Sequence, residues 1–184
     1  HYPVLLQDID DDALAKGVAN IRDEYSKAVA RHTSSKTAAR KNFDRIHANA
    51  ERVPLHNRDL VIEAAVEDLD VKKQIFADLS ARCSETCILA TNTSALPIHE
   101  LAEVVTNPGR IIGLHFFNPV PRMPLVEIVR APTTSDQTLA TAIRFVQRIG
   151  KIPVVVKDSP GFLVNRILLP YLLEACRIFA TGIA

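Results

Sequence analysis

The sequence lacks an excess of charge of either sign and any long apolar run. Its 184 residues include 22 basic and 21 acidic side chains, for a net charge of +1. This balance gives no electrostatic reason to expect nucleic acid or an anionic membrane as a partner. No apolar run approaches the roughly 18 residues of a membrane span, and the first residues do not resemble a signal peptide. These absences favour a globular protein, which we expect to be cytoplasmic.

Cysteines are also scarce. Cys83, Cys87 and Cys176 are odd in number and lack the spacing of a metal site. We therefore expect reduced thiols in a protein core, as is usual in the cytoplasm, and we expect no metal ion.

The apolar pattern alternates between strand-like runs and helices. The strand-like runs are "YPVLL", "DLVIEAAVE" (59–67), "CILAT", "RIIGLHFF", "PLVEIVR" and "IPVVV". Helical spacing or capping residues occupy 12–30 (with Asp11 or Asp12 as the cap), 33–45, 71–82 and 135–150. This alternation predicts an α/β protein with a mainly parallel, doubly wound sheet. Near 111–130 two strand runs follow each other without a helix, which predicts an antiparallel extension.

The last segment differs from the rest. "KDSPGFLVNRILLPYLLEACRIFATG" is predicted to be largely a long helix that is apolar over much of its surface. We predict that 1–158 form one domain and that 159–184 begin a second, helical domain whose remainder is missing.

Several polar residues fall at predicted strand ends, where doubly wound sheets bind ligands. Asp8 follows the first run, and an acid there either binds the ribose of a dinucleotide or caps a helix. Glu67 closes the run 59–67, with Lys72 shortly after it. Asn92 and Ser94 lie in "ATNTS", and such a segment at a strand end forms a turn more often than a catalytic site.

His115 and Glu127 form the most informative pair. If the two runs make a hairpin about Pro121, these residues stand directly opposite, with Cβ atoms about 4.5–5.5 Å apart. A carboxylate on one imidazole nitrogen leaves the other free to exchange a proton with a substrate, although a purely structural pair has the same spacing. Asn118 and Asn165 are weaker candidates, since each also suits a turn or a helix surface.

Three segments together resemble a known family. "NTSALPI", "GLHFFNPVPRMPLVEIV" and "KDSPGFLVNRILLPYLLEA" resemble the 3-hydroxyacyl-CoA dehydrogenases, in particular the dehydrogenase part of the multifunctional α-subunit of fatty-acid oxidation complexes. The resemblance implies a Rossmann-type domain that binds NAD and an acyl-CoA. It also implies an oligomer formed through a C-terminal helical domain, and possible association with a thiolase subunit.

The resemblance also implies a role for each candidate residue. The implied catalytic residues are His115, its partner Glu127, Ser94 for the substrate hydroxyl, Asn118 and Asn165. The implied cofactor-binding residues are Asp8, Glu67, Lys72, Asn92, Ser94 and Asn118.

One feature of the family is absent. The six glycines (17, 109, 113, 150, 161 and 182) give no G-x-G-x-x-G turn. We therefore expect the first strand and its phosphate-binding loop to lie outside the sequence, and these residues alone to have no useful dehydrogenase activity.

The leading hypothesis is an enzyme that oxidises (3S)-hydroxyacyl-CoA to 3-ketoacyl-CoA with NAD, in fatty-acid β-oxidation. A related enzyme acting on another 3-hydroxy acid, such as hydroxybutyryl-CoA or a sugar acid, is the nearest alternative. A nucleotide-binding or assembly module without activity is the alternative from a different class.

Overall fold

The computed structural model describes residues 2–183, which cluster into two compact units. The first unit ends at Val53 and the second begins at Pro54. The first unit contains β1 (Val4–Leu6), α1 (Asp11–Ala30), α2 (Lys36–Phe43) and β2 (Ile46–Ala48), and its two strands pair in parallel.

The cap of α1 lies one residue earlier than the sequence predicts. Asp10 accepts a hydrogen bond from the Ala13 amide at 2.7 Å, whereas Asp11 is already helical. Asp10 takes this role because its backbone is extended, as an N-cap requires.

The second unit is built on a five-stranded sheet. Its elements are β3 (Leu60–Glu63), α3 (Leu69–Arg82), β4 (Ile88–Thr91), α4 (Ile98–Ala102), a 3₁₀ turn (Pro108–Arg110), β5 (Ile111–Phe116), β6 (Leu125–Arg130), α5 (Asp136–Arg148), β7 (Ile152–Lys157) and α6 (Val164–Ala180). The strands lie in chain order, and all neighbours are parallel except β5 and β6. The expectation of a mainly parallel, Rossmann-type sheet with an antiparallel piece is confirmed.

The two faces of the sheet differ in character because side chains alternate along each strand. One face packs against α5 through buried aliphatic residues, namely Ile88, Ala90, Ile112, Leu114, Val126, Ile128, Ala142 and Val146. The strand positions between them place Glu63, Thr91, His115 and Glu127 on the other face, and all four are buried. These four buried polar side chains of the sheet therefore share one face.

Gly113 lets β5 and α4 approach closely. A Cβ atom at this position would lie 2.7 Å from Cβ of Val129 and 3.2 Å from Cδ1 of Ile98. Any side chain here would therefore push β6 away from β5, the strand that carries His115, and would also crowd Ile98 of α4.

The predicted strand 59–67 is shorter in the structure. Strand β3 ends at Glu63, and Glu67 lies in the loop that follows. The chain turns here because the Glu63 carboxylate accepts the amide of Ala65 at 2.6 Å. The carboxylate that closes the strand is thus Glu63 and not Glu67.

Helix α6 contains no buried residue, and it continues through Pro170. Ile167, Tyr171 and Phe179 are among its exposed apolar side chains. Across residues 2–183, no helix combines the length and apolarity needed to cross a membrane. The expectation that all three cysteines are core residues is wrong for Cys176, which is exposed on this helix, whereas Cys83 and Cys87 are buried.

Candidate active site

His115 and Glu127 face each other across the antiparallel pair of strands. Their register makes them direct partners, and His115 Nδ1 lies 2.8 Å from Glu127 Oε2. Only 5% of His115 and none of Glu127 is exposed. Nε2 of His115 has no hydrogen-bond partner within the described chain. The imidazole is thus oriented through one nitrogen, while the other remains available.

Two aromatic rings flank the imidazole. The ring centroids of Phe117 and Phe162 lie 4.5 and 5.7 Å from that of His115. Phe162 is buried although its φ of 49° is in the left-handed region, which is unusual for a bulky residue. The turn is held by a 2.8 Å hydrogen bond from the Phe162 amide to the Ser159 carbonyl. These rings limit the access of water to the His115–Glu127 pair.

Glu127 also holds the beginning of α6. Its second oxygen, Oε1, accepts the amides of Leu163 and Val164, each at 2.9 Å. Leu163, at the N-cap position, provides no side-chain hydrogen bond of its own. Glu127 therefore supplies the negative charge that a helix N-terminus favours, from a strand far away in the sequence.

Asn165 and Ser94 are brought together by this arrangement. Asn165 Nδ2 donates to the Ser94 carbonyl oxygen at 3.3 Å. The hydroxyl of Ser94 has no hydrogen-bond partner among residues 2–183, and the residue is exposed. The contact places the backbone of Ser94 beside the first turn of α6, which Glu127 anchors.

Glu67 holds the turn that contains Ser94. Its Oε1 atom accepts hydrogen bonds from Thr93 Oγ1 at 2.5 Å, the Ser94 amide at 2.8 Å and the Ala95 amide at 3.3 Å. Partial burial raises the pKa of Glu67, but the bonds from Thr93 and Ser94 and the charge of Lys72 outweigh it and leave this pKa below its ordinary value. Its side chain is 45% exposed, so an ionised carboxylate is presented at this edge of the sheet.

Lys72 is buried, and only 1% of its side chain is exposed. Its Nζ atom lies 2.7 Å from Glu63 Oε1 and 3.8 Å from Glu67 Oε2. The family resemblance implies a cofactor-binding role for Lys72. In the structure its ammonium group contacts these two carboxylates and donates to the Ala65 carbonyl at 3.4 Å.

The remaining predicted residues lie in different surroundings. Asn92 Oδ1 accepts the amide of Phe116 at 2.9 Å and so holds the end of β5 beside His115. Asn118 is exposed, and its side chain has no hydrogen bond within the described residues. Asp8 belongs to the first unit; it is exposed and accepts the amide of Ile9 at 2.8 Å, so it does not cap a helix.

Sequence reasoning missed three polar residues of this face. Glu63 lies inside an apolar run, where a lone carboxylate is itself a signal. Thr91 donates to Glu63 at 2.7 Å. Asp158 accepts the amides of Ile98 and His99 at the start of α4, together with His99 Nδ1 at 2.8 Å.

Comparison with known families identifies the class of protein. The family model described as "3-hydroxyacyl-CoA dehydrogenase, NAD binding domain" matches residues 1–159. Since this match covers most of the chain, the protein belongs to that family, and NAD is the cofactor of its domain.

Individual relatives are similar over almost all of the chain. The mitochondrial hydroxyacyl-coenzyme A dehydrogenase of Sus scrofa is 41% identical over 98% of the chain and 60% of its own length. The fatty acid oxidation complex subunit alpha of Vibrio parahaemolyticus is 41% identical over 96% of the chain and 25% of its own length. The chain thus spans between a quarter and about three fifths of these curated relatives.

Solved structures agree with the fold. The 3-hydroxybutyryl-CoA dehydrogenase of Escherichia coli K12 superimposes with a TM-score of 0.95 at 37% identity, covering 99% of the chain and 39% of that protein. The (S)-3-hydroxybutyryl-CoA dehydrogenase of Ralstonia eutropha gives a TM-score of 0.94 at 39% identity, covering 98% of the chain and 64% of that protein.

Proposed function

We propose that the protein is an NAD-dependent 3-hydroxyacyl-CoA dehydrogenase that oxidises (3S)-hydroxyacyl-CoA to 3-ketoacyl-CoA in fatty-acid β-oxidation, as part of a multifunctional α-subunit. The observation that carries this proposal is the buried 2.8 Å contact between His115 and Glu127, with Nε2 of the histidine free. Family membership indicates the reaction class. The His115–Glu127 pair supplies the general base that this reaction needs.

Oxidation of a secondary alcohol removes a proton from the hydroxyl and a hydride from the carbon. When Nδ1 of His115 donates to Glu127, Nε2 carries a lone pair and can accept the hydroxyl proton. The imidazolium that results lies against the buried carboxylate of Glu127, which stabilises its charge. NAD, when bound, supplies the acceptor for the hydride.

The free polar groups suit the orientation of the substrate oxygen. Ser94 Oγ and the side-chain amide of Asn118 have no hydrogen-bond partners within residues 2–183, so each can contact a ligand. We assign both to the hydroxyl oxygen at C3. Asn165, which is already fixed against Ser94, is assigned to the region of the reacting carbon and the thioester.

The donor and acceptor set also fits a dinucleotide. The exposed carboxylate of Asp8 suits ribose hydroxyls and would repel a 2′-phosphate, which favours NAD over NADP. Within the second unit, we assign cofactor contacts to Glu67, Asn92, Ser94 and Asn118. Lys72 contributes by holding the carboxylate of Glu67.

The domain organisation and partners are part of the same proposal. We assign 1–158 to the NAD-binding domain and 159–184 to the start of a helical domain, supported by the family match over 1–159 and by the exposed apolar surface of α6. Similarity to a fatty acid oxidation complex subunit alpha supports assembly with other subunits. We include oligomerisation through the helical domain, a thiolase subunit as partner and a cytoplasmic location in the proposal.

The test is NADH formation by the full-length protein with (3S)-hydroxyacyl-CoA substrates from four carbons to long chains. His115→Gln should lower kcat by about 100- to 10,000-fold, since general-base assistance is lost. His99→Gln is the matched control, because His99 also contacts a carboxylate but its side chain is 54% exposed. The proposal is wrong if the wild-type protein is inactive on all chain lengths, or if the two variants lose equal activity.

A further inference from the structure

Glu63 sits at the centre of a buried ionic cluster that the catalytic steps do not use. Its Oε1 accepts Lys72 Nζ at 2.7 Å and the Ala65 amide at 2.6 Å, and its Oε2 accepts Thr91 Oγ1 at 2.7 Å. The side chains of Glu63 and Lys72 are 3% and 1% exposed. Every contact of Glu63 is therefore made inside the protein.

A buried ion pair of this kind calls for an explanation beyond stability. Removing two charges from water is costly, and well-packed apolar residues often stabilise a fold as well or better. A fixed charge pair can, however, hold a third group in a set position. Lys72 can hold Glu67 in this way, since its Nζ atom lies 3.8 Å from the more exposed carboxylate of Glu67.

The position of Glu67 determines the position of Ser94. Glu67 Oε1 accepts the Ser94 amide, the neighbouring Ala95 amide and the hydroxyl of Thr93. These are the groups that shape the turn after β4. A shift of the Glu67 carboxylate would therefore move the Ser94 hydroxyl, which is free to contact a ligand.

We propose that Glu63 and Lys72 are positioning residues that place Ser94 through Glu67. Glu63 fixes the ammonium group of Lys72, Lys72 fixes the carboxylate of Glu67, and Glu67 fixes the turn Thr93–Ala95. Neither Glu63 nor Lys72 contacts the substrate or the cofactor directly; both act through Glu67. The expected effect on kcat rests on the proposed function. The chain of contacts from Glu63 to the turn Thr93–Ala95 does not depend on it.

The linkage is tested without activity by hydrogen exchange on the full-length protein. Glu63→Gln removes the charge that holds Lys72, so the amides of Ser94 and Ala95 should exchange at least about tenfold faster. Lys73→Met is the matched control: this neighbouring lysine of α3 pairs with Glu100 at 3.2 Å, away from the turn, and should leave both amides unchanged. Unchanged exchange of these amides in Glu63→Gln overturns the proposal.

Glu63→Gln leaves a buried cation with one carboxylate fewer, so it could also unfold the protein. Glu63→Gln combined with Lys72→Met removes both charges and should recover stability. We expect Ser94 and Ala95 to exchange fast in this double variant as well, because Glu67 has lost its cation. Recovery of slow exchange together with stability would show that the ion pair is only structural.

The catalytic arm is a double-mutant cycle with Ser94→Ala. Misplacement of a positioned group by about 1 Å can cost 100-fold, so Glu63→Gln should lower kcat by about 10- to 100-fold with a smaller effect on KM. With NAD at saturation, the same change in the Ser94→Ala background should have little further effect on kcat, because both substitutions then act through one hydroxyl. Additive losses would overturn the route through Ser94. An inactive wild-type protein with fast amide exchange in Glu63→Gln would instead contradict the proposed function alone.

Discussion

Glu127 Oε1 accepts the backbone amide of Val164 at 2.9 Å, so the carboxylate that faces His115 also holds the first turn of α6. One side chain thus has two separable tasks. It orients a proton-transferring imidazole through one oxygen and anchors a helix through the other.

The two tasks should respond differently to substitution. In Glu127→Gln the amide oxygen can still accept the amides of Leu163 and Val164, but the NH₂ group must face His115 Nδ1. The ring proton then moves to Nε2, which can no longer accept the substrate proton. We expect kcat to fall by about 100- to 10,000-fold while the thermal unfolding temperature changes little.

Glu127→Ala removes both tasks. It leaves the two helix amides without an acceptor, at a cost of about 1–3 kcal/mol for each unsatisfied group. Chemical denaturation of both variants measures the difference in the free energy of unfolding. Equal destabilisation by Gln and Ala would show that Glu127 does not anchor α6.

Gly113→Ala should destabilise the second unit. The added Cβ would lie 2.7 Å from Cβ of Val129, a backbone-linked atom that cannot swing away, so the strands must shift. Overpacking of this kind costs about 1–3 kcal/mol. Gly17→Ala is the control: its nearest neighbour would be Leu6 Cδ2 at 3.8 Å, and it lies inside a helix, so a gain of roughly 0.5–1 kcal/mol is expected. If Gly113→Ala left the free energy of unfolding in urea unchanged, the close approach of Gly113 to Val129 would be contradicted.

Acid should weaken the contribution of Glu67 to stability. Partial burial raises its pKa, but the hydrogen bonds from Thr93 and Ser94 and the charge of Lys72 prevail, and the folded-state pKa lies below the ordinary 4.5. The ionised carboxylate therefore stabilises the fold fully above 4.5, and this contribution is lost as the pH falls from there through the folded-state pKa. The difference in unfolding free energy between wild type and Glu67→Gln should shrink over this range. A constant difference would show that Glu67 is not stabilised as an anion.

The cysteines should differ in reactivity. Burial raises the pKa of Cys87 to about 12 and raises that of Cys83 as well, so neither forms a thiolate readily at neutral pH. Cys176 is exposed and should be alkylated first, with the other two modified only after unfolding. Peptide mass spectrometry of samples alkylated before and after denaturation measures this order. Modification of Cys87 as fast as Cys176 in the native protein would contradict its burial.

Parts of the fold that depend on near neighbours can be predicted from the amino-acid pattern. The alternation of apolar runs with helical spacing identified most of the strands and helices of the second unit. The His115–Glu127 register was also predictable, since the centre of a hairpin sets which residues face each other. The apolar pattern predicts the ends of elements less reliably. Strand β3 stops at Glu63 because the Glu63 carboxylate accepts the amide of Ala65 and turns the chain.

Which of these polar groups contact one another depends on how the elements pack. Asn165 meets Ser94 across 71 positions in the sequence, and Glu127 meets Val164 across 37. The burial of Lys72 follows from the packing of α3 over Glu63, which its helical spacing alone does not reveal. Periodicity describes the face that a residue occupies on its own element, whereas the partner across that face is chosen when the elements pack.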